Sequence, residues 1–253
     1  MSDAPYDRLL DILIRLPSLV EKADKIDSTS DLGILDISAA QRHLKRCSDL
    51  RDELIAWYAE FQTKETKETS HLFYLKPEKR HPYLGTGSNL QDLFPESIEF
   101  QNSYIAQTLL LYWYGEVVVY SVMSQMHKHI QDGLQSTGSA AAAIQEESYY
   151  QDPVAEVEEN GERFASRICQ AMAACGRSPL QGYGLQIAMV PLWAVQQFFW
   201  TRSMRKYMWC QTVFVTFSKK GFVLAQSLGS LQLTEYPGRK EFKKGSIRTY
   251  EVA

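Results

Sequence analysis

Apolar side chains recur every three or four positions along most of the chain, which is the spacing of helices that bury one face. The longest apolar block runs from Tyr104 to Ile130, contains no proline and has apolar residues on every side of a helical wheel. Such a helix is either buried in a bundle or spans a membrane. We therefore predict an all-α fold, an irregular multi-helix bundle around a long, buried central helix.

The same periodicity predicts helices on both sides of the central block. Their ends are marked by proline, glycine and capping residues. The predicted helices are one from Pro5 that breaks at Pro17, one behind the capping-box pair Ser38 and Gln41, one from near Val157 to Gly176, one from Gly184 to Trp200 that is interrupted at Pro191, and one that ends before Gly221.

Two long stretches lack the helical period. Residues 64–102 are rich in proline, glycine and aromatic side chains, which predicts a long irregular loop that packs down on the bundle as a lid or wall. Residues 133–160 are predicted to be a flexible excursion before the next helix. We predict one helical domain over residues 1–225 and a C-terminal tail over 226–253, whose stretches 231–236 and 247–252 are either short strands or irregular chain.

Charge and hydropathy narrow the class of protein. The formal net charge is −3 and the only dense basic run is 239–244, so we predict no direct contact with nucleic acid. The N-terminus has no signal-peptide pattern, and polar residues interrupt each apolar block, so we predict no membrane span. We expect an intracellular protein, in the nucleus or the cytoplasm, and we predict no cofactor.

The cysteines do not indicate a metal site. Cys47, Cys169, Cys175 and Cys210 are scattered, form no CxxC pair and have no histidine at ligand spacing. All four fall in apolar, helical segments, as reduced thiols of a protein core do. We therefore predict buried thiols and no metal.

Polar groups on the central helix are the main clue to chemistry. Glu116, Tyr120 and His127 share one stripe of the helix, and a buried acid, phenol or imidazole needs a partner or a ligand. Glu116 is either a carboxylate paired with Arg167 or Arg202, or a general acid–base group with a raised pKa. His127 either stabilises a helix C-terminus as a cation or lines a pocket.

Aromatic residues on two helices predict the walls of a binding site. Tyr112, Trp113 and Tyr120 surround Glu116, and Trp193, Gln197 and Trp200 form a second stripe further along the chain. Aromatic faces with a few amide groups suit a flat, mostly apolar metabolite. The alternative for the second stripe is core aromatics beside surface glutamines such as Gln196.

Four segments carry a further signal: YDRLLDILIRLPSLVEKAD, LFPESIEFQNSYIAQTLLLYWYGEVVVYSVM, RICQAMAACG followed by GYGLQIAMVPLWAVQQFFW, and RKYMWCQTVFVTFSKKGF. In their order, and in the WC pair that leads into an apolar helix and then a glycine, they resemble the regulatory domain of fungal binuclear zinc cluster transcription factors. The resemblance spans about Tyr6 to Phe222 and contains no catalytic signature. The six closely spaced cysteines of the DNA-binding module of that family are not in this sequence.

The resemblance implies a regulatory protein that does not read DNA by itself. Its expected ligand is a hydrophobic small molecule, terpenoid-like or polyketide-like, and its expected partner is a DNA-binding regulator, with secondary metabolism as the setting. The alternative is a free-standing isomerase, cyclase or dehydratase. In that case Glu116 or His127 moves the proton, Tyr120 orients the substrate, and Trp113, Trp193 and Trp200 shape the cavity.

Overall fold

The computed structural model describes residues 4–28, 34–66, 71–85, 87–136, 154–177, 180 and 182–230. Within these residues the chain is mostly helical, which confirms the predicted all-α class. The helices and strands are α1 (Pro5–Leu13), α2 (Leu16–Ser28), α3 (Ile34–Glu65), β1 (Phe73–Pro77), β2 (Glu96–Phe100), α4 (Ser103–Ser136), α5 (Val154–Cys175), α6 (Tyr183–Trp200), α7 (Met204–Lys219) and α8 (Val223–Ser230).

The apolar block forms the central helix α4, as its all-round hydrophobicity predicts. This helix packs against α2, α3, α5 and α6, so that apolar residues on all its sides are buried. Close approach to α5 depends on Gly161, because a Cβ at that position would lie 2.8 Å from the Phe198 ring and 3.3 Å from the Cβ of Tyr120. Residues of all these helices belong to one continuous hydrophobic core.

Three helix boundaries differ from the sequence prediction. The predicted break at Pro17 lies earlier, at Ile14 and Arg15, and Pro17 belongs to the first turn of α2, where proline is tolerated. α3 begins at Ile34, a full turn before Ser38, so Ser38 and Gln41 lie inside the helix and do not cap it. α6 continues through Pro191 without interruption. The buried neighbours of α6 hold the backbone helical at Pro191, which shows tertiary packing overriding the local cost of proline.

The predicted irregular connection between α3 and α4 contains a small sheet. β1 and β2 pair antiparallel, with Phe73 opposite Phe100 and Pro77 opposite Glu96. The loop between the strands does pack down on the bundle, because Tyr83 and Phe94 are buried against Phe217 and Trp209 of α7. The period-two pattern of five-residue strands is too short to stand out among the turn residues around it.

The described residues end with a helix, α8, that the sequence did not predict. α7 stops at Lys219, and Gly221 follows with a positive φ of 92°, as the glycine after this helix predicts. α8 then crosses the predicted domain boundary at residue 225 and ends at Ser230. The stretches 231–236 and 247–252, and most of the predicted excursion over 133–160, lie outside the described residues. No helix in the described ranges combines the length and hydropathy that a bilayer crossing requires.

Candidate functional site

The stripe predicted on the central helix is buried. Glu116 is fully inaccessible to solvent, and Tyr112, Tyr120 and His127 are each less than a tenth exposed. α4 keeps these side chains inside because it is enclosed by α3, α5 and α6 on several sides. The candidate site is therefore an internal one, with Glu116 at its centre.

Glu116 does not form the predicted ion pair with Arg167 or Arg202. Within the part of the chain that the structure describes, neither carboxylate oxygen has a hydrogen-bond partner of ordinary geometry. Burial raises the pKa of Glu116 to about 7, and the nearby Tyr112 hydroxyl and the charges of Arg51 and Arg163 oppose this rise. A carboxyl group in this state can hold or release a proton near neutral pH.

Aromatic rings from three helices surround Glu116. Tyr112 stacks on Tyr58 of α3, with ring centroids 4.7 Å apart and planes 3° from parallel. Phe164 of α5 meets the edge of Tyr112 at 5.9 Å and stacks on Tyr120 at 6.0 Å. Burial raises the pKa of the Tyr112 hydroxyl well above its ordinary value, and the charge of Glu116 adds to this rise, so Tyr112 stays a neutral hydrogen-bond donor.

Arginines lie around the same rings at the surface between α3 and α5. Arg51 of α3 and Arg163 of α5 act electrostatically on Glu116, and Arg167 of α5 acts on Tyr58 and Tyr112. Arg163 is exposed, whereas Arg51, Tyr58 and Arg167 are half-buried. We call this surface, formed by Arg51, Tyr58, Arg163 and Arg167, the arginine seam.

Trp113 lies beside the seam and not against Tyr120. Its ring meets the edge of Phe73 of β1 at 5.6 Å and lies 6.0 Å from Phe100 of β2. The Arg167 guanidinium is 6.0 Å from the Trp113 ring and 5.7 Å from the Phe164 ring. Arg167 therefore connects Trp113 with the aromatic group around Glu116.

His127 is not near the end of its helix. It lies about two and a half turns before the end of α4 at Ser136, too far for the helix C-terminus to account for a charged imidazole. The helix-end explanation that the sequence offered is therefore wrong. Its neighbour His129 has a different environment, because its Nδ1 lies 3.4 Å from a carboxylate oxygen of Asp27.

The second predicted wall, on α6, divides into two kinds of residue. Trp193, Gln197 and Trp200 are half-buried, and the Trp200 ring meets Tyr207 of α7 at 4.6 Å. Gln196 is fully buried, and its side-chain amide donates a hydrogen bond to the carbonyl oxygen of Gly229. Gln196 is therefore not a surface glutamine, contrary to the alternative drawn from the sequence.

Several residues of the site were missed by sequence reasoning. Tyr58, Phe164 and Arg163 lie on helices far from Glu116 in the chain, and only folding brings them together. One local signal existed: Arg163 and Arg167 are four residues apart and flank Phe164, so they share one side of a predicted helix. That spacing could have indicated a basic, aromatic surface.

Other features of the described residues lie apart from the site. An open depression of about 410 Å³ on α3 is lined by Ala59, Glu60, Thr63 and Lys64, and by none of the predicted ligand-binding residues. All four cysteines are buried thiols, as predicted. Over the ranges described, no three His, Cys, Asp or Glu side chains lie close enough to hold a metal ion.

Comparison of the chain with protein-family models, with characterised proteins and with solved structures finds no match. The resemblance to zinc cluster regulators thus stays a prediction from the sequence segments alone.

Proposed function

We propose that this chain is a regulatory, ligand-binding helical domain, in which the Glu116 site binds a mainly hydrophobic small metabolite. The observation that carries the proposal is a fully buried carboxyl group without an ion-pair or hydrogen-bond partner of ordinary geometry in the described residues. A buried carboxyl group without a partner lowers the stability of the folded protein. Ionisable groups in this situation concentrate in functional sites.

The surroundings of Glu116 suit recognition of a flat ligand. The half-buried Tyr58 offers a stacking face that is backed by the buried rings of Tyr112 and Phe164, and the hydroxyls of Tyr58 and Tyr112 offer polar contacts. Ligand binding that moves α3 or α5 against α4 would favour one packing of these helices over another, and this shift of population is the regulatory output. By the resemblance, the output acts through a DNA-binding regulator, in the nucleus or the cytoplasm.

An acid–base enzyme of secondary metabolism is the second candidate. It is favoured by the pKa of Glu116, which burial raises to about 7, the range in which a general acid–base group works best. In that case Glu116 moves the proton of a terpenoid or polyketide intermediate, and Tyr112 and Tyr120 hold the substrate. Both candidates use the same site, so they differ in what happens after binding.

The test replaces Glu116 by Gln in the native host and measures transcripts of biosynthetic genes together with metabolites. If the protein is a regulator, we expect changed transcripts, because the ligand no longer shifts helix packing. If it is an enzyme, we expect unchanged transcripts and one accumulating intermediate. Gln196→Ala, which removes a buried amide outside the Glu116 site, serves as the control for general loss of folding. Unchanged transcripts and metabolites in a folded Glu116→Gln variant would contradict both candidates.

A further inference from the structure

Arg163 and Arg167 differ from Arg51 in their partners. Arg51 and Arg163 act electrostatically on the buried Glu116, whereas the groups that act on Arg167 are Arg163, Tyr58 and Tyr112. Arg51 has a second acid, the exposed Asp52, at 3.2 Å. Arg163 and Arg167 have no carboxylate partner among the described residues; their contacts are with aromatic rings.

The half-buried arginines of the chain differ in this respect. Arg177 is half-buried and pairs with both Glu78 and Glu99. Arg167 is also half-buried, and burial lowers the pKa of its guanidinium, yet within the described residues its contacts are with the rings of Phe73, Trp113 and Phe164. A guanidinium held in this way keeps its hydrogen-bond donors for an incoming acceptor, and its planar fork matches a carboxylate.

The platform next to these charges is flat. The Tyr58 and Tyr112 rings are parallel within 3°, and Tyr58 is the outer, half-buried member of the pair. Arg167 acts electrostatically on both phenols, and its guanidinium lies 5.7 Å from the centre of the Phe164 ring, which meets the edge of Tyr112. A conjugated ring system on Tyr58 would therefore place a substituent next to Arg167 and Arg163.

Resting on the proposed function, we propose that the ligand of this site is a flat organic acid, bound through its carboxylate by Arg163 and Arg167 with its conjugated body on Tyr58. Glu116 does not prevent this binding, because burial favours its neutral form and Arg51 and Arg163 balance its charge when it ionises. The inference adds a chemical class to the ligand, since a hydrophobic neutral molecule would leave both guanidiniums without an acceptor.

The experiment compares 2-naphthoate with 2-naphthamide, a neutral probe of the same shape, by calorimetric titration of the full chain at neutral pH. We expect the acid to bind on the order of tenfold more tightly than the amide, the effect of one hydrogen-bonded charge pair. Equal affinities for the two probes would overturn the inference. Absence of measurable naphthoate binding would overturn it as well.

Substitution of Arg163 and Arg167 tests whether the preference for the acid over the amide comes from the arginine seam. Arg163→Gln and Arg167→Gln should each weaken naphthoate binding about tenfold and change naphthamide binding by less than about twofold. Arg42→Gln is the matched control, because Arg42 is exposed and lies on the opposite side of α3 from Arg51. Arg163 is exposed, so its variant tests the inference even where the Arg167 variant is unstable. Unchanged naphthoate affinity in a folded Arg163→Gln protein would contradict the assignment.

The outcome is separable from that of the proposed function. Loss of the acid preference in Arg163→Gln and Arg167→Gln, together with unaltered transcripts in the Glu116→Gln host, would support the ligand class and remove the regulatory role. Changed transcripts in the Glu116→Gln host, with equal binding of the acid and the amide, would keep the regulatory role and remove the ligand class.

Discussion

The pKa values of two glutamates in the interface between α4 and α5 are shifted in opposite directions. Glu158 of α5 accepts hydrogen bonds from the Arg202 guanidinium, with Nε at 2.6 Å from one oxygen and Nη2 at 3.0 Å from the other, and from the Ser124 hydroxyl. Burial tends to raise its pKa, but these hydrogen bonds and the charge of Arg202 outweigh burial and the pKa is lowered. Glu116 of α4 has no comparable partner, so burial dominates and its pKa is raised.

The contrast shows that burial alone does not tell whether a carboxylate is structural or functional. The Glu158 carboxylate stabilises the fold in its charged form, because its donors are supplied by α4 and by the residues after α6. The charged form of Glu116 destabilises the fold relative to the protonated form, because its raised pKa means that the native state binds the proton more tightly than the unfolded state does. The protein therefore contains one ordinary ion pair and one candidate site within the same interface.

The largest effect that we predict is a gain in stability from Glu116→Gln at high pH. Because the pKa of Glu116 rises from 4.5 to about 7 on folding, ionised Glu116 lowers the free energy of unfolding by about 3 kcal/mol. The native state holds the proton to a higher pH than the unfolded state. The free energy of unfolding therefore falls as pH rises from 4.5 to about 7, and the contribution of Glu116 stays constant at higher pH. Above pH 7 the variant should be more stable than the wild type by about 2 kcal/mol, less than the full effect of ionisation because the buried amide still carries a desolvation cost. Below pH 4.5 the two proteins should have nearly equal free energies of unfolding.

Denaturant unfolding of wild type and variant across pH measures this difference. The matched control is Glu158→Gln, the same substitution in the same interface, which should lower stability at neutral pH instead. If Glu116→Gln destabilises the protein at high pH, then the carboxylate has a partner and the contrast between the two glutamates is lost.

The second effect is a loss of stability in Arg202→Gln. The guanidinium bonds both oxygens of Glu158, donates to the Phe198 carbonyl oxygen and lies 4.1 Å from the centre of the Phe198 ring. Both partners are partly exposed, so solvent screening limits the loss to about 1–2 kcal/mol. Since the pKa of Glu158 is lowered, its contribution is present above the unfolded pKa of 4.5 and disappears as pH falls through the folded value.

A double-mutant cycle of Arg202→Gln and Glu158→Gln isolates the pair. Additive losses, with no coupling between the two positions, would show that Glu158 is not held by Arg202.

The smallest effect concerns Tyr112→Phe, which removes the hydroxyl that favours the charged form of Glu116. We expect the pKa of Glu116 to rise further, with stability changed by less than about 1 kcal/mol. Carboxyl-carbon NMR of Glu116 measures the shift directly, and Tyr114→Phe on the same helix is the control. A lower pKa in Tyr112→Phe would mean that Tyr112 stabilises the protonated form.

The central parts of the site were readable from the sequence, and its outer parts were not. Glu116, Tyr112 and Tyr120 could be placed together because they lie on one helix, where the period fixes which side chains are neighbours. Arg163, Arg167 and Tyr58 could not, because contacts across helices depend on packing angles and on which helix faces which. The α6 stripe shows the same limit: Trp200 lies against Tyr207, a contact that no spacing rule contains.

The sequence by itself determined that the chain is helical and that a helix with buried polar groups lies at its centre. Hydrophobic periodicity is a local property, because it depends only on the order of neighbouring residues along the chain. Only the tertiary structure decided that Arg202 pairs with Glu158 and not with Glu116, that Arg167 packs on rings, and that α6 runs through Pro191. Ion pairs and helix continuity are decided by which groups packing brings within a few ångströms, and the sequence order does not contain those distances.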